Sequence, residues 1–265
     1  MPTAVITGAT RGLGRLVALD LARRGFTLGV VARNPAAVEI GGADVFEADL
    51  SSLDDVRRAA KAVGERYDRI DVLINNAGIH AFSQRVTVDG FAEMTAVNYL
   101  APWVFTNALR DRLTASRARV VTVASEAARH AGDLDPARDL AFTGEYTRRE
   151  SSVHYGRTKL MDIMFSEELA RRFDGVTAVC CDPGFNTTGL GRELPFAGLL
   201  EKALRALRVG DPSRGAGIIT RLATDPALTG GYFSVKGAAP LRCPEPGRSA
   251  AAQRELWDVT ERLVG

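Results

Sequence analysis

Tyr155 and Lys159 stand four residues apart in Tyr155-Gly156-Arg157-Thr158-Lys159, at the head of an amphipathic run. On a helix that spacing puts both side chains on one face, one turn apart. An ammonium beside a phenol favours the phenolate, so the Tyr155 pKa should fall from ~10 by roughly 1–3 units. A phenol tuned in this way can give or take a proton near neutral pH. The lysine also stands out by type. Only Lys61, Lys159, Lys202 and Lys236 are lysines in a chain whose other basic residues, histidines aside, are all arginine. An ammonium can pass on a proton where a guanidinium cannot.

A second stretch suits phosphate binding. Thr3-Ala4-Val5-Ile6-Thr7 reads as a short apolar strand, Gly8-Ala9-Thr10-Arg11-Gly12-Leu13-Gly14 as a turn, and Leu16, Leu19, Leu21 and Ala22 as a helix stopping at Gly25. Strand, glycine turn and helix form the layout in which backbone approaches a pyrophosphate and a helix N-terminus faces it. The spacing T-G-x-x-x-G-x-G differs from the common G-x-G-x-x-G. At the end of the second strand, where an NAD enzyme carries an acidic residue, stands Arg33. With Arg11 it would suit a 2′-phosphate, which favours NADP(H).

The elements that must position these groups alternate along the chain. Further strands are expected over 27–32, 44–48, 71–74, 119–124 and 176–181, with a last short one at 230–234. Helices are expected from Ser51 or Ser52 to Arg66, from Asp89 to Arg112 with Pro102 bending it, from Tyr155 to Phe173, over 212–223, and in the tail, where Trp257 is the expected anchor. Asn98 falls inside the second of these and reads as a kink that holds a water. The stretch 126–151 shows turn signals and no clear element. Residues 196–207 carry an apolar stripe, read as core packing or as part of a substrate flap over about 185–210. The alternation predicts an α/β fold: one Rossmann-type doubly wound parallel sheet of about seven strands with helices on both faces, in a single domain over 1–265.

Composition narrows the function classes. A net charge of +2 leaves no broad field for nucleic acid. No apolar run approaches the ~18 residues of a membrane span, and Met1 leads almost directly into a strand, so neither a leader nor a membrane anchor is expected. Cys180, Cys181 and Cys243 are odd in number, and the adjacent pair has poor disulfide geometry, which points to a reducing cytoplasm. His80, His130 and His154 lack metal-ligand spacing; they read as structural or solvated, and no metal is expected.

Taken in order, Thr7-Gly8…Gly12-Leu13-Gly14, Asp49, Asn75-Asn76-Ala77-Gly78, Asn98, Ser125, Tyr155-x-x-x-Lys159 and Pro183-Gly184 resemble the short-chain dehydrogenase/reductase family over nearly the whole chain. Asp89-Gly90-Phe91, Val97-Asn98, Lys159-Leu160, Glu168 to Arg172 and Gly231 to Ser234 are most similar to its retinol-dehydrogenase-like branch, as is the long gap between Ser125 and Tyr155. Ala124 stands where many relatives have a second serine.

The resemblance implies roles. Tyr155 would be the general acid or base, and Ser125 would steady the substrate oxygen. Lys159 would lower the Tyr155 pKa and hold the nicotinamide ribose, and Asn98 would position a relay water. Gly8, Thr10, Arg11, Gly12, Leu13, Gly14, Arg33, Asp49, Leu50, Asn76, Ala77, Gly78, Pro183, Gly184 and Thr188 would join Tyr155 and Lys159 around the cofactor. Asp49 would face the adenine and Thr188 the carboxamide. The implied activity is NADP(H)-dependent transfer of hydride to or from a small, apolar carbonyl or alcohol. Family members are often homodimers or homotetramers, and the sequence singles out no interface. Two rivals stand beside this reading. A catalytically idle NADP(H)-sensing protein would typically lack the Tyr/Lys pair. A nucleotide-sugar epimerase or dehydratase would use T-G-x-x-G-x-x-G, which Gly8, Gly12 and Gly14 do not match.

Overall fold

The structure, a computed structural model, describes residues 1–184 and 211–265. The expected flap, its apolar stripe and Thr188 therefore lie outside the described residues.

Among the described residues, eight strands form one sheet in the order β3-β2-β1-β4-β5-β6-β7-β8. They are β1 (Thr3–Thr7), β2 (Thr27–Ala32), β3 (Asp44–Glu47), β4 (Val72–Asn75), β5 (Arg119–Val123), β6 (Thr177–Asp182), β7 (Gly231–Ser234) and β8 (Pro240–Leu241). The first seven run parallel, and β8 adds a two-residue antiparallel edge that the sequence does not announce. β1 and β4 are buried along their whole length, as continuous apolar runs covered on both faces must be.

Helices α1 (Gly12–Arg23) and α8 (Pro212–Thr224) cover one face of the sheet. The other carries α2 (Leu53–Arg66), α4 (Ala101–Ala108), α7 (Ser151–Arg172) and α9 (Ala250–Val264). The first turn of α2 is held at two points. Ser52, the N-cap, accepts from Asp55 N at 3.3 Å, and the distant Asp89 carboxylate accepts from Leu53 N at 2.8 Å, so both satisfy donors a helix start leaves open.

The helix expected over 89–112 is broken instead. Asp89 is engaged on α2, and helix begins at Glu93 as the short α3 (Glu93–Thr95). A π-helical turn, Ala96–Leu100, leads into α4, and α5 (Arg110–Ser116) follows separately. The irregularity therefore falls on Asn98. Pro102 follows the π-helical turn directly, inside continuous helical backbone, so its missing N–H falls beside that irregularity. The stretch after β5 holds a 3₁₀ turn, Glu126–His130, and the short α6 (Pro136–Leu140).

α9 lies across α4 and α7. Trp257 is buried, its ring centroid 5.4 Å from Trp103, 5.8 Å from Phe165 and 6.3 Å from Phe173, and the Tyr99 and Thr260 hydroxyls meet at 2.8 Å. The tail is thus part of the core. All three cysteines are buried and free.

Candidate active site

The strand order reverses at β1, flanked by β2 on one side and β4 on the other, and ligands of such sheets bind at the carboxyl ends beside this point. A cleft of about 240 Å³ opens there. Its floor is the glycine turn: Gly8, Thr10, Arg11, Gly12, Leu13 and Gly14 all line it. Arg11 is the N-cap of α1 and supplies no side-chain cap, so the first backbone N–H groups of the helix are left to face the cleft.

Asn76 stitches this turn to the end of β4. Its side-chain nitrogen donates to Thr7 O at 2.9 Å and Gly8 O at 3.2 Å, while Asn76 N and Ala77 N donate to Thr7 Oγ1, both at 3.1 Å. Asn76, Ala77 and Gly78 form the next wall. Pro183 and Gly184, following β6, close another side.

At the far end Ser125, Tyr155 and Lys159 share the cleft. Ser125 caps the 3₁₀ turn, its Oγ accepting from Ala127 N at 3.1 Å, and its hydroxyl is among the groups that favour the Tyr155 phenolate. Two features that the motif reading overlooks bring them together. Gly156 lets the 3₁₀ turn press onto α7: a Cβ there would lie 2.6 Å from Ala127 O. Asp182, at the end of β6, accepts from Glu126 N at 3.1 Å and pins the residue after Ser125.

Lys159 is 4% exposed and donates to Val123 O at 2.9 Å and Asp162 Oδ2 at 2.8 Å, with its nitrogen 5.8 Å from the Tyr155 ring centroid. Asn98 uses both ends of its amide. Oδ1 accepts from Ile79 N at 2.8 Å, and Nδ2 donates to Ile79 O at 2.9 Å and Thr158 Oγ1 at 3.0 Å. Asn98 and Lys159 come together at Gly78, whose missing Cβ would lie 3.4 Å from the amide oxygen and 3.5 Å from the ammonium.

The expected depression of the Tyr155 pKa does not occur in the folded chain. Burial pushes the phenol up, and Asp162 and Asp182 push the same way; Lys159 and the Ser125 hydroxyl pull it down without prevailing. The phenol is therefore a proton donor at neutral pH. His80 is a second correction. Its ring stacks on Tyr155 at 4.7 Å and 16° and lies 4.6 Å from Phe82, with Nε2 3.2 Å from Ser151 Oγ. It supports the Tyr155 ring from the loop after β4, and no motif signals it.

Three expected cofactor residues lie away from the cleft lining. Arg33, 76% exposed at its side chain, is 3.6 Å from Asp49 Oδ2, and Asp49 Oδ1 accepts from Ser51 N at 2.9 Å. Leu50 is half-buried against the core.

The short chain dehydrogenase family model matches residues 2–136. A Streptomyces sp. (strain C5) protein named as a daunorubicin C-13 ketoreductase is 35% identical, over 99% of this chain and 92% of that one. The chain is a short-chain dehydrogenase/reductase. Within the family it belongs to the retinol-dehydrogenase-like branch: human retinol dehydrogenase 13 is 34% identical over 99% of this chain and 84% of its own. Among solved structures, that of an uncharacterized protein from Mycobacterium paratuberculosis covers 100% of the chain and is covered over 93%, with 28% identity and a TM-score of 0.79. The family is one of oxidoreductases using nicotinamide cofactors. Among the described residues no helix is long and apolar enough to cross a membrane.

Proposed function

We propose that the protein interconverts a carbonyl and an alcohol on a small, apolar substrate with NADP(H). The observation that carries this is the sharing of one cleft by a phenol, a hydroxyl, an ammonium and an uncapped helix N-terminus. The cleft fits a dinucleotide. The turn backbone lies bare at Gly8 and Gly12, both at positive φ (71° and 58°), and the helix start offers unpaired N–H groups to a pyrophosphate. Thr10 to Leu13 would hold that pyrophosphate, Asn76 to Gly78 the adjoining ribose, Tyr155 and Lys159 the nicotinamide ribose, and Pro183-Gly184 with Thr188 the carboxamide. Leu50 would flank the adenine beside Asp49.

When bound, the cofactor supplies or takes hydride. The chain's own groups handle the proton and the oxygen. Ser125 donates to the substrate oxygen and steadies the developing alkoxide. Tyr155 hands its proton to that oxygen in reduction and takes one back in oxidation. Lys159 orients ribose and stabilises the phenolate. Because the Asn98 amide is engaged on Ile79 and Thr158, a relay water would sit on its main chain. The names of the two relatives, a ketoreductase and a retinol dehydrogenase, support a carbonyl/alcohol pair on an apolar body. The test is NADPH absorbance against aldehydes, cyclic ketones and polyketide-like carbonyls. Turnover of none of them would remove this reading.

The NADP(H) preference rests on Arg33 and Arg11. The exposed Arg33–Asp49 pair is worth little in water, so a 2′-phosphate would compete for the guanidinium easily. Arg33→Asp should weaken NADPH by about 10–100-fold, the loss of one or two charge-assisted hydrogen bonds, and leave NADH nearly unchanged. Equal movement of the two Kd values would make the 2′-phosphate assignment wrong.

His80 should matter to turnover more than to cofactor affinity. A stacked aromatic pair contributes ~0.5–1.5 kcal/mol, so His80→Ala should lower kcat about 2–10-fold with cofactor Kd unchanged, and His80→Phe should retain most of it. A loss confined to Kd would show that the ring serves the cofactor instead.

A further inference from the structure

Asp162 lies one turn beyond Lys159, inside the apolar run Leu160-Met161-Asp162-Ile163-Met164-Phe165, and is 1% exposed. One carboxylate oxygen accepts from Lys159 Nζ at 2.8 Å; the other, Oδ1, is buried with no hydrogen-bond partner among the described residues. Such a pair is an expensive way to fill a core. Apolar residues of similar volume are often neutral or better, and an unpaired buried oxygen adds a further cost. What the carboxylate contributes that a leucine could not is charge, placed on the ammonium that faces the catalytic cleft.

Among the described residues, the surroundings of Lys159 leave that task to one group. Burial disfavours its ammonium, and the groups that favour it are Asp162, Tyr155 and Cys180. Burial holds Tyr155 and Cys180 above their ordinary values, so both are neutral near pH 7. Tyr99, which faces Asp162 from the π-helical turn, and Cys181 on β6 are raised in the same way. Asp182 bears on the phenol. Among the described residues, Asp162 is therefore the anion that acts on Lys159. Burial lifts its own carboxyl to about 6, still ionised at neutral pH.

We infer that Asp162 is a positioning residue for the reaction: its carboxylate keeps Lys159 charged and fixes it against Val123 O, at the distance from which the ammonium acts on Tyr155. This rests on the roles proposed above for Tyr155 and Lys159. Without the carboxylate, a lysine this dry should shed its proton several units early, as buried lysines do. The cleft would then hold a neutral amine where it needs a cation.

The test reads the lysine directly. With four lysines in the chain, a protein labelled with ¹³C,¹⁵N-lysine gives four side-chain signals to follow against pH by NMR, and Lys159→Arg assigns the relevant one. In the native protein the Lys159 midpoint should lie above the ordinary lysine value of ~10.4. In Asp162→Asn, which keeps shape and removes charge, it should fall by about one unit or more, and a smaller fall overturns the inference. Should Asp162→Asn not fold, the native midpoint decides: above the ordinary value supports the inference, below it overturns it. Fluorescence titration of the native protein with NADPH and NADH runs alongside. If neither binds, the proposed function fails while the Lys159 result still stands or falls on its own.

Discussion

Tyr155→Phe is expected to lower turnover by about 10²-fold or more while the protein still folds and still binds cofactor. Phenylalanine keeps the ring that stacks on His80 at 4.7 Å, so the wall of the cleft survives and only the hydroxyl is lost. With it goes the proton for the substrate oxygen. The pH dependence carries a sign. Because burial raises the phenol, it stays protonated through neutrality, so reduction should be flat there and fall only at alkaline pH. Oxidation needs the phenolate and should rise as pH rises. Lys159→Met should displace the alkaline limb of reduction further upward, since it removes the charge that pulls the phenol down. Near-normal kcat in Tyr155→Phe would take this residue out of the mechanism.

Much of this site could be read along the chain because local geometry builds it. A four-residue spacing on a helix, a glycine turn between a strand and a helix, and a serine directly after a strand each carry their arrangement with them. The parts that stayed hidden depend on approach between distant segments. His80 reaches Tyr155 only because the loop after β4 folds over α7, and Asp182 reaches the Ser125 turn only because β5 and β6 are neighbours. Gly156, between Tyr155 and Lys159, sets how close the 3₁₀ turn can come. The Tyr155 shift departs from the expected sign for the same reason. Lys159 is visible four residues away, while burial and the Asp162 charge emerge only in the packed chain. Asp162 did leave a trace, a lone carboxylate inside a six-residue apolar run. The break at Ala96–Leu100 had its signal in Asn98, but a π-helical turn is too rare to expect from one residue.

Gly14→Ala should do the most damage for the smallest change. By helix propensity alone, alanine within α1 ought to help by up to ~1 kcal/mol. The packing says otherwise. A Cβ at Gly14 would lie 2.4 Å from Gly8 O and 2.5 Å from Asn76 Nδ2, inside any allowed contact. Neither neighbour can yield. Gly8 O accepts from Asn76 Nδ2, Gly8 holds a φ of 71°, and the same amide also donates to Thr7 O. α1 must therefore lift from the turn or Asn76 must release it, and both spoil the floor of the cleft. Overpacking of this kind costs about 1–3 kcal/mol, which for a chain of this size lowers Tm by several degrees, on the order of 2–4 °C per kcal/mol. Cofactor Kd should rise by about 10-fold or more, since 1.4 kcal/mol of lost contact is a factor of ten. Gly217 supplies the control. It lies in α8 with nothing within 4 Å of its missing Cβ, so Gly217→Ala should stabilise by ~0.5–1 kcal/mol and leave Kd alone. If Gly14→Ala behaved like Gly217→Ala in thermal unfolding and in cofactor titration, the turn would not be the close-packed cradle described here.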